Sequence, residues 1–475
     1  MSLKQAAIIN GISRFSKIFI QLFVNAILAR ILSPAEYGVV TIITVFSTFF
    51  NTFADMGFGA AVIQHKNLSK DDINSIYSLT VYMGAILGVV FCIISIPIAT
   101  FYENNAYLTL GPLLALSLLF NTLNMVPNSI LMRDKKFVPV AVRTIVVYLG
   151  GGIVAIILAL LDFSYYALVF QTVLIAFVSF LWNYISTRPK FVLKINIRSL
   201  QKVAQFSMFQ FAFNIINYFS RNLDNLLTGK FLGDVQLAYY DKAYTLMLYP
   251  VNNLTGVISP VLHPILSDYQ DDPKYIYNAY VKISKILGIL GVYVSAFCFL
   301  AASELIMIFY GPQWGNAVIC FKALSLVVAM QMINSCSGSI FQSLGNTRLL
   351  FMSGLINASI TVVMILIGLL AGKSIYALAA CVAIAYLLHF LTAQFIAIHY
   401  GFGYKVINYY KDLKYEIVLY VVLLISCVVY PFNISNFFVS FCIKLAWISF
   451  ITFAVLFFTK EYRILLEFVV RRRKK

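Results

Sequence analysis

Charged residues are scarce in this sequence. They make up 11% of its 475 residues, while 61% are hydrophobic. A soluble globular domain is usually about 25% charged and about 45–50% apolar, so this chain has too little polar surface to fold in water. The composition excludes a soluble enzyme and a disordered protein, and it indicates a polytopic membrane protein with almost no extramembrane domain.

The sequence also lacks the motifs of common enzymes and metal sites. Its four histidines show no HExxH spacing, and no GxxxxGK[ST] phosphate loop is present, so neither zinc-dependent hydrolysis nor ATP hydrolysis is expected. The seven cysteines fall in apolar segments and form no CxxC pair, which favours small core residues over a metal or redox site. We therefore expect a protein that is not an enzyme and that holds no metal or other resident cofactor.

Apolar runs long enough to cross a bilayer recur along the whole chain. A spanning helix needs roughly 20 apolar residues. The sequence predicts an all-α polytopic membrane protein with about 14 such helices, near 10–32, 38–60, 76–101, 107–132, 138–161, 163–185, 205–228, 243–266, 283–309, 318–344, 349–371, 375–398, 415–431 and 437–459.

Basic residues outnumber acidic residues by 35 to 18, and their distribution along the predicted loops is asymmetric. Of the 35, 25 fall in segments on the same side as the N-terminus and only 5 fall on the other side. Cytoplasmic loops carry an excess of Lys and Arg, so this pattern predicts that both termini are cytoplasmic. It explains the net charge of +17 without nucleic acid, and the basic run 471–475 is expected to meet anionic lipid headgroups.

Two halves of the sequence resemble each other. Residues 5–33 match residues 205–233 at a constant offset, and span four matches span ten. Six spans separate each matching pair, so both copies keep one orientation, as in the parallel repeats of many transporters. The expected domains are an N-lobe over 1–187, a cytoplasmic linker over 188–204, a C-lobe over 205–400, and two further spans with a basic tail over 401–475.

Polar side chains form stripes inside four predicted spans. They recur every three or four positions, which places each set on one helix face. A charge facing lipid at the bilayer centre costs roughly 2.5–3.5 kcal/mol, so stripes of this length must face water or protein. The stripe residues are Arg14, Lys17, Gln21 and Asn25 in span one; Asn121, Asn124 and Asn128 in span four; Gln210, Asn214, Asn217, Arg221 and Asn225 in span seven; and Gln331 and Asn334 in span ten.

Two interpretations of the stripes are open. In the first, they line a polar cavity between two helix bundles, where guanidinium groups bind phosphate and amides bind sugars, which suits a phosphorylated glycan. In the second, they only join helices by hydrogen bonds, with Arg14 and Lys17 reaching the interface and Arg221 paired with Asp224.

Acidic residues inside the predicted spans are few. The candidates for coupling transport to H⁺ or Na⁺ are Asp55 near the end of span two, Asp224 in span seven and Glu304 near the end of span nine. Each carboxylate could instead be paired structurally with a basic side chain.

Four segments carry a resemblance to a known family. They are Ala29–Gly38, Asp55–Gln64 followed by Leu68–Asp72, Ser129–Phe137, and Phe309–Trp314. In this order, and with this span count and repeat, the chain resembles the Wzx-type oligosaccharide flippases. These form the polysaccharide-transport branch of the MOP (MATE-like) superfamily, and the similarity is strongest to the colanic-acid and teichuronic-acid exporters.

The resemblance implies two six-helix lobes with two further C-terminal helices. It also implies an alternating-access flippase that moves an undecaprenyl-diphosphate-linked repeat unit across a bacterial inner membrane. The repeat unit would serve the synthesis of a surface polysaccharide, namely O-antigen (a part of lipopolysaccharide), capsule or exopolysaccharide. Glycan polymerase and glycosyltransferase machinery would be its partners. By position, Arg14, Lys17, Arg221 and Arg143 would bind the diphosphate of the lipid-linked glycan.

Three other functions are weighed against this one. A MATE-like multidrug or cation antiporter is disfavoured by the net-basic stripe, since a cationic drug would require carboxylates. A glycan polymerase or acyltransferase is disfavoured because the outside loops are short, the longest lying near 229–242. A lipid II flippase is a close variant that the sequence leaves open.

Overall fold

The structure is a computed structural model. It describes residues 3–55, 59, 62–63, 68–193, 218, 222–256, 262, 265–432 and 434–464. Every regular element within these ranges is a helix, which confirms the predicted all-helical class.

The chain divides into two compact units. The first comprises Met1–Ala238 with Phe309–Gln313, and the second comprises Tyr239–Ile308 with Trp314–Lys475. The helices of the first unit are α1 (Leu3–Ile31), α2 (Pro34–Asp55), α3 (Lys70–Tyr102), α4 (Ala106–Arg133), α5 (Phe137–Leu160), α6 (Tyr166–Thr187), a helical stretch over 222–232 and the start of α7 (Asp234–Thr255).

The second unit contains the rest of α7 and the helices that follow it. These are α8 (Pro273–Leu300), α9 (Ala302–Phe309), α10 (Ala317–Ser325), α11 (Val328–Asn334), α12 (Ser337–Ser343), α13 (Thr347–Leu366), α14 (Ile375–Phe395), α15 (Val406–Asp412), α16 (Lys414–Val428) and α17 (Phe437–Thr459).

Many of the predicted spans are recovered. In the described part of the chain, ten helices are long and apolar enough to cross a membrane, and a bent pair makes an eleventh. The predicted span ten is this bent pair, because the helix breaks between Ser325 and Val328 with a change of direction of 50°. Most of the predicted span seven lies outside the described residues. Helix α16 has only 15 residues, fewer than the roughly 20 that a spanning helix needs. The expected total of about 14 spans therefore stays a prediction, as do the repeat and the lobe boundaries.

Small residues allow close helix contacts inside the first unit. A Cβ added at Gly152 of α5 would lie 2.4 Å from the Val24 side chain of α1, and one added at Gly111 of α4 would lie 2.3 Å from Ser95 of α3. Large side chains on the outer face of α1 are exposed instead, with Phe19 at 73%. Close packing through small residues and outward-facing apolar side chains are both typical of helices in lipid.

The motif over 29–38 forms the turn between α1 and α2. The Ser33 backbone N–H and hydroxyl both donate to the Glu36 carboxylate, at 2.6 and 2.7 Å, which fixes the start of α2. A Cβ added at Gly38 would lie 2.0 Å from the Asp234 carbonyl oxygen. Glycine at this position is therefore required by packing inside the first unit.

The motif over 309–314 supports the same turn. The Gln313 Nε2 donates to the Leu32 carbonyl oxygen at 2.9 Å and also to that of Ala29, so it satisfies carbonyls that α1 leaves open at its C-terminal end. Gly311 has a φ of +98°, which glycine adopts without strain. Two of the segments behind the family resemblance thus have a structural role here.

Candidate functional site

A chain of amide side chains crosses the first unit from α4 to α6. Asn183 of α6 is fully buried. Its Nδ2 donates to the Asn124 Oδ1 at 2.8 Å and more weakly to the Asn128 Oδ1 at 3.4 Å. Two of the three predicted stripe residues of α4 are therefore held in place by a side chain on another helix.

Arg143 of α5 joins this network. Its Nη1 donates to the Asn128 Oδ1 at 3.1 Å and its Nη2 to the Thr144 hydroxyl at 3.4 Å. The buried Nε has no hydrogen-bond partner, and no carboxylate pairs with the guanidinium, among the residues the structure describes. A half-buried guanidinium with an open donor and no counter-ion has the chemistry of an anion site.

A cavity of about 400 Å³ lies beside the amide network, in the range of roughly 300–1,000 Å³ typical of small-molecule sites. It is lined by Asn51, Ala54, Gly59, Asn121, Thr122, Met125, Asn128 and Ser129. Hydroxyls and amides dominate this lining, which suits a ligand rich in hydroxyl groups, such as a sugar.

The sequence interpretation identified only part of this site. Asn51, Thr122, Ser129 and Asn183 belong to it by structure but were not among the predicted residues. Thr122 and Ser129 directly follow stripe residues of α4 and could have been included on that ground. Asn183 gave little periodic signal, and only the packing of α6 on α4 shows its role.

The stripe of α1 faces α5 in part. The Lys17 Nζ lies 4.5 Å from the centre of the Tyr148 ring of α5, a cation–π contact. Gln21 and Asn25 are half-buried, whereas Arg14 is exposed. Lys17 therefore lies next to the helix that carries Arg143.

The predicted stripe of span seven is almost entirely outside the described part of the chain. This holds for Gln210, Asn214, Asn217 and Arg221, so their roles stay predictions. Asn225 is described and buried, and its backbone N–H donates to the Asp224 carboxylate at 2.8 Å.

The remaining predicted amides belong to the second unit and make local contacts there. The Gln331 Nε2 donates to the Met247 sulfur at 3.3 Å. The Asn334 Oδ1 accepts from the Ser337 hydroxyl at 3.1 Å. Their binding to sugars stays a prediction.

The three candidate coupling acids differ in their surroundings. Glu304 is buried and pairs with the Lys444 Nζ at 2.6 Å, and it also accepts from the Ser440 hydroxyl at 2.8 Å. Asp224 is buried, and Asp55 is the last residue of α2, with its side chain outside the described set. No cluster of three metal-ligating side chains occurs among the described residues.

The fold resembles that of a known transporter. The structure of the lipid II flippase MurJ in an inward closed conformation aligns with a TM-score of 0.75, covering 95% of this chain and 99% of that chain at 16% sequence identity. At this identity the likeness shows the fold alone. The protein is thus a multi-pass membrane protein with the helical fold of the MurJ-like transporters.

Sequence comparisons give the family. The sequence model of the family described as "Polysaccharide biosynthesis protein" matches residues 27–319, which is more than half of the chain. The teichuronic acid biosynthesis protein TuaB of Bacillus subtilis (strain 168) is 23% identical over 345 residues, or 72% of this chain and 71% of TuaB. The lipopolysaccharide biosynthesis protein WzxC of Escherichia coli (strain K12) is 22% identical over 366 residues, or 72% of this chain and 70% of WzxC.

The chain belongs to this polysaccharide biosynthesis family of Wzx-like exporters, as the four sequence segments predicted. It is a membrane transporter and not an enzyme.

Proposed function

We propose that the protein is a flippase for an undecaprenyl-diphosphate-linked oligosaccharide. It moves the repeat unit from the cytoplasmic to the outer leaflet of a bacterial inner membrane, for the synthesis of a surface polysaccharide. Family membership supports the polysaccharide class, and the MurJ-like fold supports transport of a lipid-linked headgroup. The relatives TuaB and WzxC are named for teichuronic acid biosynthesis and lipopolysaccharide biosynthesis, respectively.

The observation that carries the proposal is that Arg143 donates to Asn128, which lines the amide-rich cavity. An ionisable side chain inside a membrane helix is costly, and such groups usually mark a functional site. A diphosphate would supply the anion that Arg143 lacks among the described residues, and the neighbouring amides and hydroxyls would contact sugar hydroxyls. Arg14, Lys17 and Arg221 are proposed to add positive charge for the same diphosphate.

The proposed direction of transport follows from the charge asymmetry. Both termini are proposed to be cytoplasmic, since 25 of the 35 basic residues fall on that side. The cavity lies towards the C-terminal ends of α2 and α4, where Ala54 and Ser129 contribute to its wall. On this topology the cavity is at the cytoplasmic end of the first unit, where the substrate is made.

The transport cycle is proposed to be alternating access. The headgroup leaves the amide cavity for the outer leaflet while the lipid tail stays in the bilayer. Asp55, Asp224 and Glu304 are the candidates for coupling this cycle to H⁺ or Na⁺, and a glycan polymerase and glycosyltransferases are the proposed partners.

Replacement of Arg143 tests the proposal. In a deletion strain, lipid-linked oligosaccharide should accumulate in the cytoplasmic leaflet, and the wild-type gene should restore export. Arg143→Ala should restore it at least about tenfold less well, because hydrogen bonds to charged groups contribute roughly 1.5–3 kcal/mol. Arg143→Lys should be intermediate, since Lys keeps the charge and loses the planar fork.

The control is Arg348→Ala, which removes one exposed positive charge at the start of α13. It should restore export fully at equal protein level in the membrane. Full export by Arg143→Ala would exclude Arg143 from substrate binding. Absence of any accumulated lipid-linked glycan in the deletion strain would contradict the flippase function itself.

A further inference from the structure

A buried carboxylate in the second unit has no hydrogen-bond partner on another residue in the part of the chain that the structure describes. Glu416, in the first turn of α16, is 5% exposed. It packs on α8, where a Cβ added at Gly288 would lie 3.3 Å from the Glu416 Cγ. Neither carboxylate oxygen has a hydrogen-bond partner from another described residue. This is unusual, since buried charged groups are normally paired.

A second buried carboxylate lies close to the first. Glu461, just after α17, is 7% exposed, and its Oε1 accepts from the Lys285 Nζ at 3.1 Å. Lys285 precedes Gly288 by one turn on the same face of α8, and both Lys285 and Glu461 are within electrostatic range of Glu416. The Glu461 Oε2 is buried and has no partner in the described part.

The cluster therefore contains two carboxylates and one ammonium group. Fully ionised, it would carry a net charge of −1 in a buried place, which is unfavourable, and the two like charges oppose each other. One bound proton makes it neutral. A hard metal ion such as Ca²⁺ would need six or more oxygen ligands, and no group of three metal-ligating side chains occurs among the described residues.

Three other ionisable groups on α15 and α16 have contacts of their own. On α15, Asp412 accepts from the Tyr277 hydroxyl, and the Tyr409 hydroxyl donates to Ser284, each at 3.0 Å. On α16 itself, the Lys414 Nζ lies 4.7 Å from the centre of the Tyr415 ring. Among the described residues, Lys285 and Glu461 are the charged groups that act electrostatically on Glu416.

We propose that Glu416, Glu461 and Lys285 form a proton-binding site. Glu416 holds the proton as a neutral carboxylic acid, and Lys285 forms an ion pair with Glu461. The site shares no residue with the lining of the amide cavity, and it does not include Asp55, Asp224 or Glu304. Proton binding stands on this geometry alone, whereas its use in transport rests on the proposed function.

Infrared difference spectroscopy on the purified full-length protein tests proton binding directly. With ¹³C-labelled glutamate, a pH change from acidic to alkaline should remove the carbonyl band of a protonated carboxylic acid. Glu416→Gln should lack this band, because the amide has no acidic proton. The matched control is Glu103→Gln, which removes an exposed carboxylate of the first unit and should leave the band unchanged.

A second variant covers the case in which Glu416→Gln does not fold. Lys285→Met removes the only ammonium group of the cluster, so two buried carboxylates should hold the proton to higher pH, and the band should persist to a more alkaline value. A wild-type spectrum with no titrating glutamic acid band, or a band kept by Glu416→Gln, would overturn the proposal.

Export assays separate this site from the proposed function. Glu416→Gln should export glycan with a pH dependence weaker than that of the wild type. An unchanged pH dependence would overturn the role of the site in transport, while the infrared band would still establish proton binding. Failure of lipid-linked glycan to accumulate on gene deletion would overturn the flippase function and leave the infrared result intact.

Discussion

At the residue scale, the first unit holds its polar groups by pairing amides with one another. Asn183 donates to both Asn124 and Asn128, and Asn128 accepts from Arg143 as well. Such a network orients each member, because a polar side chain in an apolar interior has few other partners. Arg143 is therefore positioned before any ligand arrives, which reduces the ordering cost of binding.

Replacement of Asn183 should show this positioning. Asn183→Leu removes the donor to the amide oxygens of Asn124 and Asn128, and we expect a loss of about 1–3 kcal/mol of stability together with weaker export. Thermal unfolding of the purified protein and complementation of the deletion strain measure the two effects. Asn105→Ala is the control, since Asn105 is exposed and makes no side-chain capping bond. Unchanged stability and export in Asn183→Leu would show that the amide network does not position Arg143.

The ion pair of Glu304 with Lys444 gives a second prediction at this scale. Glu304→Gln leaves the half-buried Lys444 ammonium group without its counter-ion, and breaking a buried pair typically costs about 3–5 kcal/mol. The double variant Glu304→Leu with Lys444→Leu removes both charges and should recover most of that stability. Thermal unfolding measures the recovery. If the double variant folds and exports normally, the role of Glu304 is structural. If the double variant folds but does not export, Glu304 stays a candidate coupling residue.

At the element scale, glycines determine how closely the chain segments approach. We expect Gly38→Ala to destabilise the first unit by about 1–3 kcal/mol, the usual cost of overpacking, because the new Cβ would meet the backbone of Asp234. Backbone atoms cannot move aside as a flexible side chain can. Thermal unfolding of the purified variant measures this loss.

Gly150→Ala is the matched control on a helix. An added Cβ at Gly150 of α5 meets nothing within 4 Å, so this variant should be neutral or slightly stabilising, as alanine favours helix over glycine. Equal behaviour of the two variants would contradict the close approach at Gly38.

The element scale also shows how far the sequence could predict the fold. The lengths of the apolar runs predicted the positions of α3 and α17 closely. In a membrane, a long run of apolar residues has a spanning helix as its only favourable arrangement. The start of α3 extends further than hydropathy indicates, since Ser69 and Asp72 form a capping box before the apolar run begins. The break at Ser325–Val328 has no proline or charge to mark it, so composition alone could not predict it.

The candidate site was harder to predict for a physical reason. Periodicity detects stripes on a single helix, and it found Asn124 and Asn128. Asn183 and Asn51 contribute from other helices, and their roles depend on which helix faces pack together. A pattern within one segment holds no information about that packing.

At the scale of the whole molecule, the positive charge and the polar cavity support one direction of transport. Most basic residues are predicted on the cytoplasmic side, and so is the cavity end of the first unit. A negatively charged headgroup would thus meet a basic surface before it reaches Arg143, and an electrostatic field of this kind raises the rate of encounter.

The predicted orientation can be measured by cysteine labelling in intact cells. None of the seven cysteines forms a disulfide bond among the described residues, so a cysteine-free background can be made with alanine. In that background, Asp162→Cys should react with a membrane-impermeant maleimide, because Asp162 is exposed in a loop predicted outside. Lys190→Cys should stay unlabelled until the membrane is opened, because this exposed residue follows α6 on the predicted cytoplasmic side. Labelling of both variants after permeabilisation shows that each cysteine is reactive. The reverse pattern in intact cells would invert the topology and place the cavity end of the first unit outside, which the proposed direction of transport does not allow.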